Sequence, residues 1–210
     1  MLILGHAGLT LGAAVLLSGV FSSVRSRTPE NNPGQPIEKV ATRPLQSRMR
    51  PAARFTSLAR LVDIRFLLLG SLLPDIIDKP IGQLLFRDTF SNGRIFSHTL
   101  LFFILVTVTG IYLSRTRGKN WLPAIAFGVF THLVFDQIWN IPKTLLWPLY
   151  GFAFEKINLS GWTGGLFYAL LHNPEVYLPE LVGGIILLLL AWTLVRRQGV
   201  KIFLGKGIIA

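Results

Sequence analysis

Apolar positions along this chain gather in long blocks instead of alternating with polar ones. The blocks fall at residues 5–24, 61–77, 96–114, 121–141 and 176–195, and each is near the roughly 20 residues a helix needs to cross a bilayer. The second is the shortest and carries Asp63, Arg65 and Pro74. The pattern predicts an all-α integral membrane bundle of five transmembrane helices, or four if 61–77 is re-entrant, in a single membrane domain over 1–210. Between the first two blocks, residues 25–60 are polar and basic, with Pro29, Pro33, Pro36, Pro44 and Pro51. Such a composition cannot bury a core and reads as an inserted loop. Its last part, "RMRPAARFTSLARL", interleaves arginine with apolar residues, as a helix lying on headgroups does. The N-terminal block has no basic region before it and carries His6 instead, so it reads as a retained helix and not a signal peptide. No internal repeat is evident.

Composition agrees with that class. Hydrophobic residues make up 51% of the 210, mean hydropathy is +0.53, and only 15% are charged, against about a quarter in soluble domains. The absence of cysteine removes disulfides, thiolate metal sites and cysteine nucleophiles. A net charge of +11 would point to nucleic acid in a soluble protein. No reading motif accompanies it here, so no nucleic-acid partner is expected and the excess is assigned to cytoplasmic loops and anionic lipid. Fifteen of the 21 basic residues fall in 25–60, 115–120 and the C-terminal tail, which five spans place on one side. The expected location is the plasma (inner) membrane, with the N-terminus outside and the C-terminus cytoplasmic.

That orientation brings His6, Asp75, His98, His132 and Asp136, from four separate segments, to the outer face. In "THLVFDQIW", His132 and Asp136 are four apart and share one helix face. Ionisable groups inside apolar helices are rare and usually paired or functional, although a packing histidine capped by a carboxylate fits too. In "GSLLPDIIDKP", Pro74 is expected to end the helix so that Asp75 projects sideways. Capping a next short helix is the plainer role for Asp75. Asp78 suits a turn or ion pair as well as ligation. His172, with Glu175 three residues on, is a possible extra ligand. Trp139, Trp147, Tyr150 and Trp162 fit an interfacial belt, and a cavity wall is the alternative for Trp147 and Tyr150. Three imidazoles and two carboxylates form a ligand set for a divalent metal, zinc first, with manganese or iron as alternatives. One or two ions fit, two sharing an aspartate to activate water and clamp a phosphoryl group. There is no serine nucleophile elbow or Gly-rich phosphate loop.

The order "GH", "LLPDIID", "FSHT", "HLVFDQ" and "LLWPLYG", from His6 to about Gly151, resembles the YdjM-like inner-membrane metal-dependent hydrolases, once described as LexA-binding. Through them the chain is distantly similar to the zinc-dependent phospholipase C and S1/P1 nuclease group. The resemblance implies that Asp75, His98, His132 and Asp136 hold one metal, with Asp136 bridging to a second on His6. The expected function is hydrolysis of a phosphoester, on a lipid or lipid-linked substrate, through metal-activated water at the outer face. Asp75, Asp136 and Arg94 are the expected catalytic residues, Arg94 from its position alone. Membrane lipids are the expected partners. The rivals are an ion or proton transporter using an Asp/His relay, and a non-enzymatic membrane scaffold.

Overall fold

A computed structural model describes residues 2–25, 62–118, 121–152, 154–157 and 162–207. The basic 25–60 loop, apart from the helical end at Arg25, lies outside the described residues. Everything regular among those described is helical: α1 (Ile3–Arg25), α2 (Ile64–Lys79), α3 (Leu100–Arg117), α4 (Trp121–Phe135), α5 (Pro142–Leu145), α6 (Trp162–His172), α7 (Pro174–Arg196) and α8 (Val200–Lys206). A π-helical turn (Pro80–Leu85) follows α2, and a 3-10 turn (Ile138–Asn140) follows α4.

Local chemistry sets most of the boundaries. The Asp63 carboxylate accepts the Arg65 N–H at the start of α2, and the Thr99 hydroxyl accepts that of Phe102 at the start of α3, each satisfying a donor the helix cannot. Asn173 does the same for α7, where Pro174 follows at the first helical position. Gly118, at φ 62°, closes α3 in the left-handed conformation.

Two sequence expectations change here. Pro74 does not end its helix; α2 continues through it to Lys79. A proline inside a helix withdraws one N–H from the ladder, and side chains from elsewhere bond to this stretch of backbone: Ser97 Oγ donates to the Pro74 carbonyl and His132 Nδ1 to that of Ser71. The fourth block also stops early, at Phe135 instead of residue 141, because Gln137 turns into the left-handed region at φ 50°.

The helices pack with very close backbones. A Cβ on Gly128 of α4 would stand 2.6 Å from both the Leu67 carbonyl and the Ser71 nitrogen of α2, and Gly70 of α2 abuts Ile125 in return. Gly8 of α1 and Gly183 of α7 meet backbone to backbone in the same way. Small residues at such crossings are how helices approach when lipid leaves no hydrophobic drive between them. The Glu180 carboxylate, buried on α7, accepts the N–H groups of Leu2 and Leu4 and so ties down the start of α1. At the other end, Leu11, Ile64, Leu67, Leu194 and Phe203 form one apolar cluster, and the Arg65 guanidinium donates to the Leu204 carbonyl.

Outward faces are apolar. Ile104, Leu105, Val108 and Ile111 on α3, and Leu181, Ile185, Leu188 and Trp192 on α7, are exposed, which a soluble monomer rarely tolerates over such an extent. Two helices, Leu100–Arg117 and Pro174–Arg196, are long and apolar enough to cross a membrane; Ile3–Ser18 and Trp121–Phe135 are apolar but shorter. Two of the five expected spans therefore meet that length and composition.

Candidate metal centre

The site is built at helix ends. The start of α1 carries His6, the last turn of α2 Asp75 and Asp78, and the residue before the Thr99 cap is His98. The last turn of α4 carries His132, and Asp136 follows its end. Alternating chain direction brings these ends together. All three imidazoles are fully buried, and the side chains of Asp78, Asp136 and Asp75 are buried or nearly so.

Four donor atoms gather around the two imidazoles of His98 and His132. His98 Nε2 and His132 Nε2 are 3.1 Å apart. Asp75 Oδ1 lies 3.6 Å from the first and 4.0 Å from the second, and Asp136 Oδ2 lies 3.8 and 3.9 Å from them. Donors at about 2.1 Å from a common tetrahedral centre stand about 3.4 Å from one another. The observed separations bracket that value, so donors drawn three at a time from this cluster fit a divalent ion. The three-donor groups able to hold one are His98–His132–Asp136 and His6–Asp75–His132.

Hydrogen bonds fix which nitrogens face inward. His132 Nδ1 lies 2.7 Å from the Ser71 carbonyl and His98 Nδ1 lies 2.7 Å from Asp78 Oδ2. Both partners only accept, so both Nδ1 atoms carry the proton. In the neutral rings the two Nε2 atoms then confront each other with lone pairs and no proton between them. A cation at that point removes the conflict.

His6 adds a further buried imidazole beside the cluster. Its ring stacks on His132 with centroids 4.1 Å apart, and neither of its nitrogens makes a hydrogen bond among the described residues. Nε2 sits 3.1 Å from Asp136 Oδ1 without hydrogen-bond alignment, a buried polar atom of the kind that needs a partner. Two cations border the carboxylates: Lys79 Nζ is 2.6 Å from Asp75 Oδ2 and Arg94 Nε is 2.7 Å from Asp136 Oδ2.

Asp78, left open by the sequence, is an orienting group. Its carboxylate accepts the N–H groups of Ile95, Ser97 and His98 besides the His98 ring, the support that ligating histidines generally have. His172 and Glu175 are exposed and are not brought to the cluster; the His172 ring stacks on Tyr168. Trp139 and Tyr150 are exposed, whereas Trp147 packs against Phe96 and Phe152. The side chain of Trp162 lies outside the described residues. Sequence reasoning missed the Ser71 carbonyl, which carries no side-chain signal, and the Lys79 pairing, which the i,i+4 spacing from Asp75 already offered.

No curated protein and no solved structure matches the chain. A family model, the YdjM inner membrane protein, matches residues 40–200, a segment that includes Asp75, His98, His132 and Asp136 but not His6. With most of its length matched, the chain belongs to the YdjM inner membrane protein family.

Proposed function

We propose that this protein is a membrane-embedded, metal-dependent hydrolase of phosphoesters, acting on a lipid or lipid-linked substrate at the outer face of the inner membrane. The observation that carries the metal is the pair of inward Nε2 lone pairs 3.1 Å apart, flanked by Asp75 and Asp136. His98, His132, Asp75 and Asp136 would hold one divalent ion, for which zinc suits the mixed nitrogen and oxygen donors best and manganese or iron are alternatives. His6 with Asp136 offers a place for a second. Such an ion supplies Lewis-acid activation of water and of the ester oxygen when bound.

The chain's own residues supply the rest. Asp78 and Ser71 hold the two histidines in the tautomer that presents Nε2. Arg94 fixes Asp136 and stands where negative charge on a substrate would develop. In this reading α1, α2 and α4 cross the membrane beside α3 and α7, and the N-terminus is outside.

Metal content tests the reading directly. Purified protein is expected to hold at least one equivalent of transition metal, and His132→Ala and Asp136→Ala are expected to lose it while remaining monodisperse in detergent. Less than one equivalent in the unaltered chain overturns the proposal. With metal established, a screen of phosphodiesters and phospholipids should reveal turnover that chelation abolishes.

A further inference from the structure

Two partly exposed cations border the otherwise buried cluster. Each imidazole is fully buried, and the Asp75 side chain, the most exposed of the carboxylates, is only 10% accessible. The side chains of Lys79 and Arg94, at 36% and 34%, are the half-buried cations that touch the cluster. They stand near each other: a Cβ on Gly93, the neighbour of Arg94, would meet Lys79 Cγ at 3.1 Å.

Neither cation is used up by its carboxylate. Lys79 spends one of three donors on Asp75 Oδ2. Arg94 spends its Nε on Asp136, and its two terminal nitrogens donate to nothing among the described residues. The backbone holds the arginine in place from both sides: its N–H donates to Asn92 Oδ1, and its carbonyl accepts from the Thr144 hydroxyl. Asn92 is in turn anchored through its Nδ2 on the Glu155 carbonyl. A guanidinium fixed at the backbone, with its planar end free, is the donor geometry that matches a tetrahedral oxyanion, and a nearby ammonium adds a second, rotatable charge.

We infer that Lys79 and Arg94 together form the recognition site for the anionic phosphoryl group of the substrate, with Lys79 a specificity-determining residue. This rests on the metal-dependent hydrolase reading for the reaction, but the anion site itself is carried by the two cations. Exposed apolar residues lie close to both along the chain: Leu84, Leu85 and Phe86 come five to seven residues after Lys79, and Phe152 packs on Phe96, two residues after Arg94. An anionic group borne on an apolar body therefore has both of its parts met at this end of the molecule.

The test is equilibrium binding of inorganic phosphate and of dihexanoylphosphatidylglycerol to purified full-length protein, read by calorimetry, with metal content measured on the same samples. Lys79→Gln is expected to keep its metal and to weaken phosphate binding about tenfold, the loss of one charge-assisted hydrogen bond. Lys79→Arg should restore most of it, and Arg94→Gln should weaken it likewise. A free-phosphate site gives equal losses with both probes, whereas a lipid site binds the phospholipid more tightly and loses most there. Unchanged affinity of metal-loaded Lys79→Gln for both probes overturns this inference and leaves the metal reading standing. Metal-free protein that still binds phosphate through Lys79 and Arg94 does the reverse. Loss of binding in Lys79→Gln only where metal is lost too would make Lys79 a mere support for Asp75, and that also overturns the inference.

Discussion

Asp78 shows most clearly how much one side chain can organise without facing the centre of the site. Its carboxylate gathers the backbone N–H groups of Ile95, Ser97 and His98 and the His98 ring. It therefore folds the loop before α3 and aims a ligand with the same two oxygens. Asp78→Asn keeps one carbonyl oxygen for the loop but presents an amide N–H toward N–H groups. Its expected effect is a 10–100-fold weaker metal affinity, the usual consequence of losing a partner behind a ligating histidine, with the protein still folded. Asp78→Ala strands four buried donors, each costing about 1–3 kcal/mol, and should lower thermal stability in detergent as well. Metal titration by competition with a chelator, run beside a thermal melt, separates the two effects. Equal metal affinity in Asp78→Asn and the unaltered chain would remove Asp78 from the site. His132 and Asp136 were legible in the sequence because helical spacing alone sets them on one face. Asp78 was not, since its partners lie 17 to 20 residues away in a loop whose path no periodicity encodes.

At the level of helices, the cluster depends on how closely α2 and α4 approach. The α4 backbone crosses that of α2 at Gly128 and Gly70, and that crossing lets His132 reach the Ser71 carbonyl. Gly128→Leu has no room for its side chain, because backbone atoms of Leu67 and Ser71 already fill the position of its Cβ. Overpacking in a rigid core costs about 1–3 kcal/mol, occasionally more, and here relief requires the helices to separate. The expected result is a lower melting temperature together with loss of metal. Gly164→Leu, where a Cβ meets nothing, should be neutral in both measurements. Retention of full metal by Gly128→Leu would show that the crossing does not position His132. The helices themselves were mostly readable as apolar blocks, and their ends less so. Pro74 signalled a stop, yet α2 runs on to Lys79, with Ser97 and His132 donating to the carbonyls of Pro74 and Ser71. The eleven-residue α6 was overlooked because it is too short to register as a span and contains Gly164 and Gly165.

Across the whole molecule, charge is sorted by end. Glu180 at the start of α1 places the beginning of α7 beside His6, so α7 runs away from the cluster. Its far end carries Arg196 and Arg197, α8 adds Lys201 and Lys206, and the far end of α3 carries Arg115 and Arg117. All of these are exposed. The positive end of a membrane protein faces the cytoplasm, so the metal centre is expected at the opposite, outer surface. A chain without cysteine allows a clean test by single introduced thiols. Leu149, 82% exposed, lies on the segment between α5 and α6 whose Trp147 and Phe152 rest on Phe96 in the loop that carries Arg94. In intact cells stripped of their outer envelope, a membrane-impermeant maleimide should label Leu149→Cys at once and Lys201→Cys only after the membrane is opened. The reverse pattern would put the cluster on the cytoplasmic side and the substrate among cytoplasmic esters. Labelling of both without lysis would mean that α7 does not cross the membrane, leaving the exposed apolar face of α3 and α7 to be covered by something other than lipid.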